Sequence, residues 1–132
     1  MFKDLLEKTT EQAVQQRLLF LFAQTEAKNP KKSKKHQQGT ITPVMCVDKL
    51  PSEITTFAAL VKEADSIEKN WNFVFIASLG GSEDQAPTTD EAEPYLNKMT
   101  HDVESGNNIE RYVVFDRDEN VFELQPKQSL FN

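Results

Sequence analysis

Cysteine is nearly absent from this chain: Cys46 stands alone among 132 residues. One thiol can close no internal disulfide and builds no cysteine-rich zinc site. It fits a reducing compartment, and the cytoplasm is the simplest address. Glycine (4) and proline (6) are also sparse, which excludes collagen-like and linker-type composition. No apolar run approaches the roughly 18 residues of a membrane span. The opening MFKDLLEKTTEQ lacks the basic start and apolar middle of a signal peptide. No motif specifies a reaction, and no cofactor is implied.

What is present suits one soluble domain: 38% hydrophobic and 27% charged residues. The net charge is -6, which disfavours wrapping nucleic acid. That charge is unevenly spread. Residues 28–36, KNPKKSKKH, hold Lys28, Lys31, Lys32, Lys34 and Lys35 and no acid; taking those five positive charges from -6 leaves -11 on the rest. The pattern is an acidic body with one basic projection.

Hydrophobic spacing gives the element order. Phe2, Leu5, Leu6, Ala13 and Val14 suit an amphipathic helix over 2–14. Leu18 to Ala23 is uninterrupted apolar sequence. It reads as a strand buried on both faces or as a continuation of the first helix; the strand is favoured, because a helix here would be apolar all round. A lysine-rich loop over 24–39 leads to a strand over 40–47, where Pro43 argues for a sheet edge or a bulge. Ser52 reads as the cap of a helix over 53–69, with Ile54, Phe57, Ala58, Leu60, Val61, Ala64 and Ile67 on one stripe. Trp71 to Leu79 reads as a central strand covered on both faces.

An acidic loop over 80–93 follows, then a helix that takes Pro94 into its first turn and runs to about Glu104. A start at Thr88, with Thr88 and Glu91 as a capping box, would bury Pro94 inside the helix and is less comfortable. Ser105-Gly106-Asn107-Asn108 stops that helix. A hairpin over 109–124 turns at Asp116–Asn120, and 125–132 is a tail. The fold class is α+β, a single domain over 1–124 in the order α-β-β-α-β-α-β-β. Helical crossovers imply a mixed five-stranded sheet covered by three helices, with strands 18–23 and 73–79 as central neighbours.

Candidate chemistry lies in the charged segments. The lysine loop offers point charges without the Arg or aromatic side chains that recognise phosphate and bases. Glu83, Asp84, Asp90 and Glu91 mark the acidic connection at the carboxyl end of the central strand, a common ligand position. Gly80-Gly81 reads as a plain turn, since acids rather than a phosphate cradle follow it. Asp116, Asp118 and Asn120 open like a calcium loop, but Val121 and Lys127 stand where Gly and Glu are needed. Cys46 reads as a small core hydrophobe, His101 as a solvent-facing side chain, and Trp71 as core. The favoured reading is a non-catalytic protein that binds a protein partner, or itself, through Lys28, Lys31, Lys32, Lys34, Lys35, Glu83, Asp84, Asp90 and Glu91. The alternatives are a small enzyme or accessory subunit using Ser78, Ser82, Asp84 and Asp90, and weak polyanion binding by the lysine loop.

Overall fold

The computed structural model describes residues 2–25 and 41–122. Its order is α1 (Phe2–Thr10), β1 (Gln16–Thr25), β2 (Ile41–Lys49), a 3-10 turn (Pro51–Glu53), α2 (Phe57–Ile67), β3 (Phe73–Gly80), α3 (Thr89–Ser105), a second 3-10 turn (Ile109–Arg111), β4 (Val113–Asp116) and β5 (Val121–Phe122). The α+β class and the element order match the expectation. The sheet order is β2-β1-β3-β4-β5, so the two apolar strands are neighbours, paired from Gln16↔Gly80 to Ala23↔Phe73.

Alternation along β1 explains the layers. Leu18, Phe20 and Phe22 point to one face, where they meet Phe2, Phe57, Leu60, Ala64, Trp71, Val74, Ile76 and Phe115. Leu19, Leu21 and Ala23 point to the other, against Phe75, Ala92, Met99, Val103 and Val114. Thus α1 and α2 cover the first face and α3 the second. Both faces of β1 are dry, which is why six consecutive apolar residues form a strand and not a helix. On the first face the rings of Phe2, Phe57 and Phe115 meet with centroids 5.3, 5.6 and 6.0 Å apart.

Several expectations need correction. Every strand pair is antiparallel, whereas a mixed sheet was implied. β2 and β3 do run parallel, as a helical link requires, but β1 lies between them. The long link from β3 returns the chain so that β4 runs back along its neighbour. Helix α1 stops at Thr10, not residue 14, because Thr9 and Thr10 hydroxyls and the Gln12 amide bond to the carbonyls of Leu5, Glu7 and Lys8, competing with further helix. Helix α2 begins at Phe57. Glu53 accepts from the Leu50 N–H at 2.7 Å and closes a separate turn, while Thr56 accepts from the Ala59 N–H at 3.0 Å as the true cap.

Helix α3 begins at Thr89 with Pro94 inside it. The Thr88 N–H donates to Glu91 at 2.9 Å and the Glu91 N–H to Thr88 at 3.1 Å. This reciprocal box satisfies two orphan donors and outweighs the one backbone bond that Pro94 forfeits. The acidic stretch is therefore divided: Glu83 and Asp84 lie on a loop, Asp90 and Glu91 in the first turn of α3. Residues 109–111 form a 3-10 turn where strand was expected.

Other expectations hold. Pro43 sits on an edge strand beside a register shift opposite Phe22/Ala23. Gly106 ends α3 with φ 75°, and Trp71 is core. Its indole donates to Asp65 at 3.0 Å, and Arg117 stacks on its ring at 4.2 Å while pairing with Asp65. This clamp joins α2 to the β4–β5 hairpin. Asp116 ties the hairpin turn: it accepts from Asp118, and from the Asn120 backbone and side chain, which hold its carboxyl below the usual range. Residues 123 and 124 and the expected tail lie outside the described residues.

Asp102 is a buried carboxylate on α3. It accepts from Tyr112 Oη at 2.6 Å, Lys98 Nζ at 3.1 Å and Asn108 Nδ2 at 3.4 Å. Burial pushes its pKa up, but those bonds outweigh burial and hold it below 3.8; burial and the same contact raise the Tyr112 hydroxyl. A carboxyl with a depressed native pKa contributes stability above its unfolded value and loses it as pH falls. Asp102→Asn should therefore lower stability by about 1.5–3 kcal/mol near neutral pH. That deficit should shrink below pH 3.8, as read from urea midpoints across a pH series; a pH-independent deficit would contradict the assignment.

Candidate functional site

The start of β1 lies level with the ends of its two neighbours, β2 and β3. Gln16 opposes Gly80, and Leu18 opposes Lys49. At this end the α1–β1 connection, the 3-10 turn after β2 and the loop from 81 to 88 surround a cleft of about 530 Å³. That volume lies within the range of small-ligand sites. The cleft lies at the carboxyl end of β3, the position considered from the sequence.

The loop is pinned by its own backbone. Gly81 N–H donates to Gln15 O, Gln15 N–H to Ser82 O and Ser82 N–H to Gln85 O, each at 2.8 Å. Gly81 has a second constraint. A Cβ there would overlap the Gln85 carbonyl oxygen and sit 2.9 Å from Pro87 Cδ. Glycine is needed for close packing of the loop on itself, so Gly81 is more than a plain turn residue.

Arg17 anchors the opposite wall. Its Nε donates to Pro87 O, and its terminal nitrogen pairs with Asp48 at 2.6 Å; both side chains are 13% exposed. Asp48 also accepts from the Thr89 hydroxyl at 2.9 Å. One half-buried ion pair thus ties β1, β2, the loop and the start of α3. The placement suits the macrodipole, since Asp48 sits at the positive end of α3.

Among the expected partner-binding residues, Glu83, Asp84, Asp90 and Glu91 are all exposed on the loop and first helical turn that form one wall. Only Asp84 lines the cleft itself. Lys28, Lys31, Lys32, Lys34 and Lys35 lie outside the described residues. Of the candidate enzyme residues, Ser78 is exposed on β3, Ser82 bonds within its own loop and Asp90 faces solvent. Cys46 is exposed rather than core. It sits on the edge strand, with Sγ 3.6 Å from the Thr100 hydroxyl. His101 is exposed and forms no pair with it. Among the described residues no group of three His, Cys, Asp or Glu side chains is set to hold a metal ion.

Sequence reasoning missed Gln12, Gln15, Gln16 and Arg17, which line the cleft. The signal was available in E-Q-A-V-Q-Q-R. Three amides crowd a junction in which they serve no apolar stripe. No family model, curated protein or solved structure matches this chain. No described helix is long and apolar enough to cross a membrane.

Gly81→Ala should destabilise the protein by about 1–3 kcal/mol, the usual cost of overpacking. The loss is measured by chemical denaturation. An unchanged midpoint would show that the loop shifts freely.

Proposed function

We propose that the chain is a non-catalytic binding protein that engages a basic polypeptide, a second copy of itself included, through the acidic end of its sheet. The observation that carries this reading is the gathering of Glu83, Asp84, Asp90 and Glu91 on one exposed wall, with Glu11 and Glu53 on the neighbouring segments. Lys8 and Arg17 are the cations of those segments, and Arg17 is already paired. Self-association is the economical form, because residues 28–36 of the same chain carry the complementary charge. Such complementarity raises association rates and selects partners more than it adds raw affinity. The exposed, unpaired thiol of Cys46 supports a reducing compartment such as the cytoplasm.

The test is binding of a labelled KNPKKSKKH peptide, followed by fluorescence anisotropy. Affinity should fall about tenfold between about 20 mM and about 200 mM salt, as screening shortens the reach of the field. It should be lost when Glu83, Asp84, Asp90 and Glu91 are changed to their amides. Sedimentation of the whole chain should show a dimer that dissociates over the same range. Absence of peptide binding at low salt would overturn the proposal.

A further inference from the structure

Strand β3 runs past its outer neighbour. β4 begins at Val113, opposite Ile76, so residues 77–80 have β1 on one side and no described strand on the other. The direction of bonding decides what is left open. Gly81 N–H donates to Gln15 O. Residues of an antiparallel strand bond to alternate sides, so Leu79 and Ala77 bond to β1, while Ser78 and Gly80 turn their N–H and C=O groups outward. The far side of the ladder agrees. Asp116 N–H donates to Asn120 O in the hairpin, so Phe115 and Val113 bond towards Val74 and Ile76. By the same register Arg111 would face Ser78. It lies instead in the 3-10 turn, where its N–H goes to Asn108 O at 3.1 Å and that of Tyr112 to Ile109 O at 3.2 Å. Ser78 and Gly80 are exposed, and among the described residues nothing bonds to their outward groups.

The outer edges of the sheet are less suited to a further strand. β2 carries Pro43, a register shift and Lys49, each of which deters pairing, and β5 has only two residues. The step at 77–80 has none of these devices. Leu79 on the α3 face and Val113, 37% exposed on the opposite face, offer an incoming strand apolar neighbours on both sides. The ligand such an edge selects is an extended polypeptide, whose main chain supplies the missing donors and acceptors. Charge names its kind. Beyond Gly80 the chain leads directly to Glu83 and Asp84, while Glu110 and Arg111 of the 3-10 turn offset each other. We infer that an extended basic segment adds to β3 at Ser78 and Gly80, antiparallel to it and in line with β4, with its upstream lysines at the acidic wall. This rests on the proposed binding of basic partners and adds how their backbone is held.

The experiment is a heteronuclear NMR titration of the full chain with the KNPKKSKKH peptide and with two forms of it, N-methylated on alternate residues of its KKSKKH portion. Main-chain methylation removes the donors from one edge of an extended peptide and keeps its charge. The parent peptide should shift the Ser78 and Gly80 amides and slow their hydrogen exchange. One methylated form should bind as the parent does. The other, methylated on the edge that meets β3, should bind about tenfold more weakly, the scale of one or two lost hydrogen bonds. Ser78→Pro deletes an outward donor and no bond to β1, and should weaken the parent peptide by about the same factor. Should that variant fold poorly, the two methylated peptides decide the matter on the unmodified chain. Equal affinities for the two forms, or shifts confined to Glu83, Asp84, Asp90 and Glu91, overturn the added strand and leave the acidic-surface reading intact. No binding of any form at low salt overturns both.

Discussion

The double burial of β1 is the constraint on which the molecule depends. Leu18 through Ala23 are each at most 3% exposed, so one strand supplies the floor of both hydrophobic layers. Neither layer is complete alone. The α1–α2 face needs Phe20 and Phe22, and the α3 face needs Leu19 and Leu21. Since side chains alternate with a period of two, a one-residue slip would exchange the two sets and spoil both. Register is therefore strongly specified at β1, and with it the level at which β1 starts and β2 and β3 end.

That shared end is where apolar packing gives out. Backbone groups at the close of the sheet need partners that the cores cannot supply. The loop after β3 meets the need by bonding across to Gln15, and Arg17 meets it by joining Asp48 to Pro87 and the start of α3. A cleft of mixed lining follows from these ties, with Val14, Leu50, Pro51, Ala86 and Pro87 beside the polar groups and no residue drawn from either core. The acidity of the exposed wall beside it comes partly from helix physics, because Glu91 serves the capping box and Asp90 lies in the same favoured first turn. The charge proposed for recognition is thus partly charge that stabilises α3.

Much of this was legible because burial on two faces leaves an unmistakable run of apolar residues. The runs at 18–23 and 73–79 announce neighbouring central strands, and Gly106 announces the end of α3. Local competition was harder to read. Pro94 argues for a late helix start, and only the paired bonds of Thr88 and Glu91 reverse that. Ser52 and Thr56 are equally good caps by type; Glu53 decides between them by closing a turn of its own. Cys46 is an apolar residue by composition, yet the edge position of β2 leaves it in solvent. The glutamines of residues 11–17 were visible in the sequence, but the cleft they line was not, because three segments distant in sequence must meet before it forms.

Native-state amide hydrogen exchange tests the central claim most directly. β1 is bonded on both sides, by β2 and β3, and shielded by both layers. Its amides from Leu18 to Phe22, with their β3 partners from Val74 to Ala77, should therefore exchange only through global unfolding, with opening free energies equal to that from denaturant unfolding. The β5 amides should exchange far sooner. Exchange of β1 through a lower-energy opening, independent of β3, would mean that the two layers come apart separately and that β1 does not organise the fold.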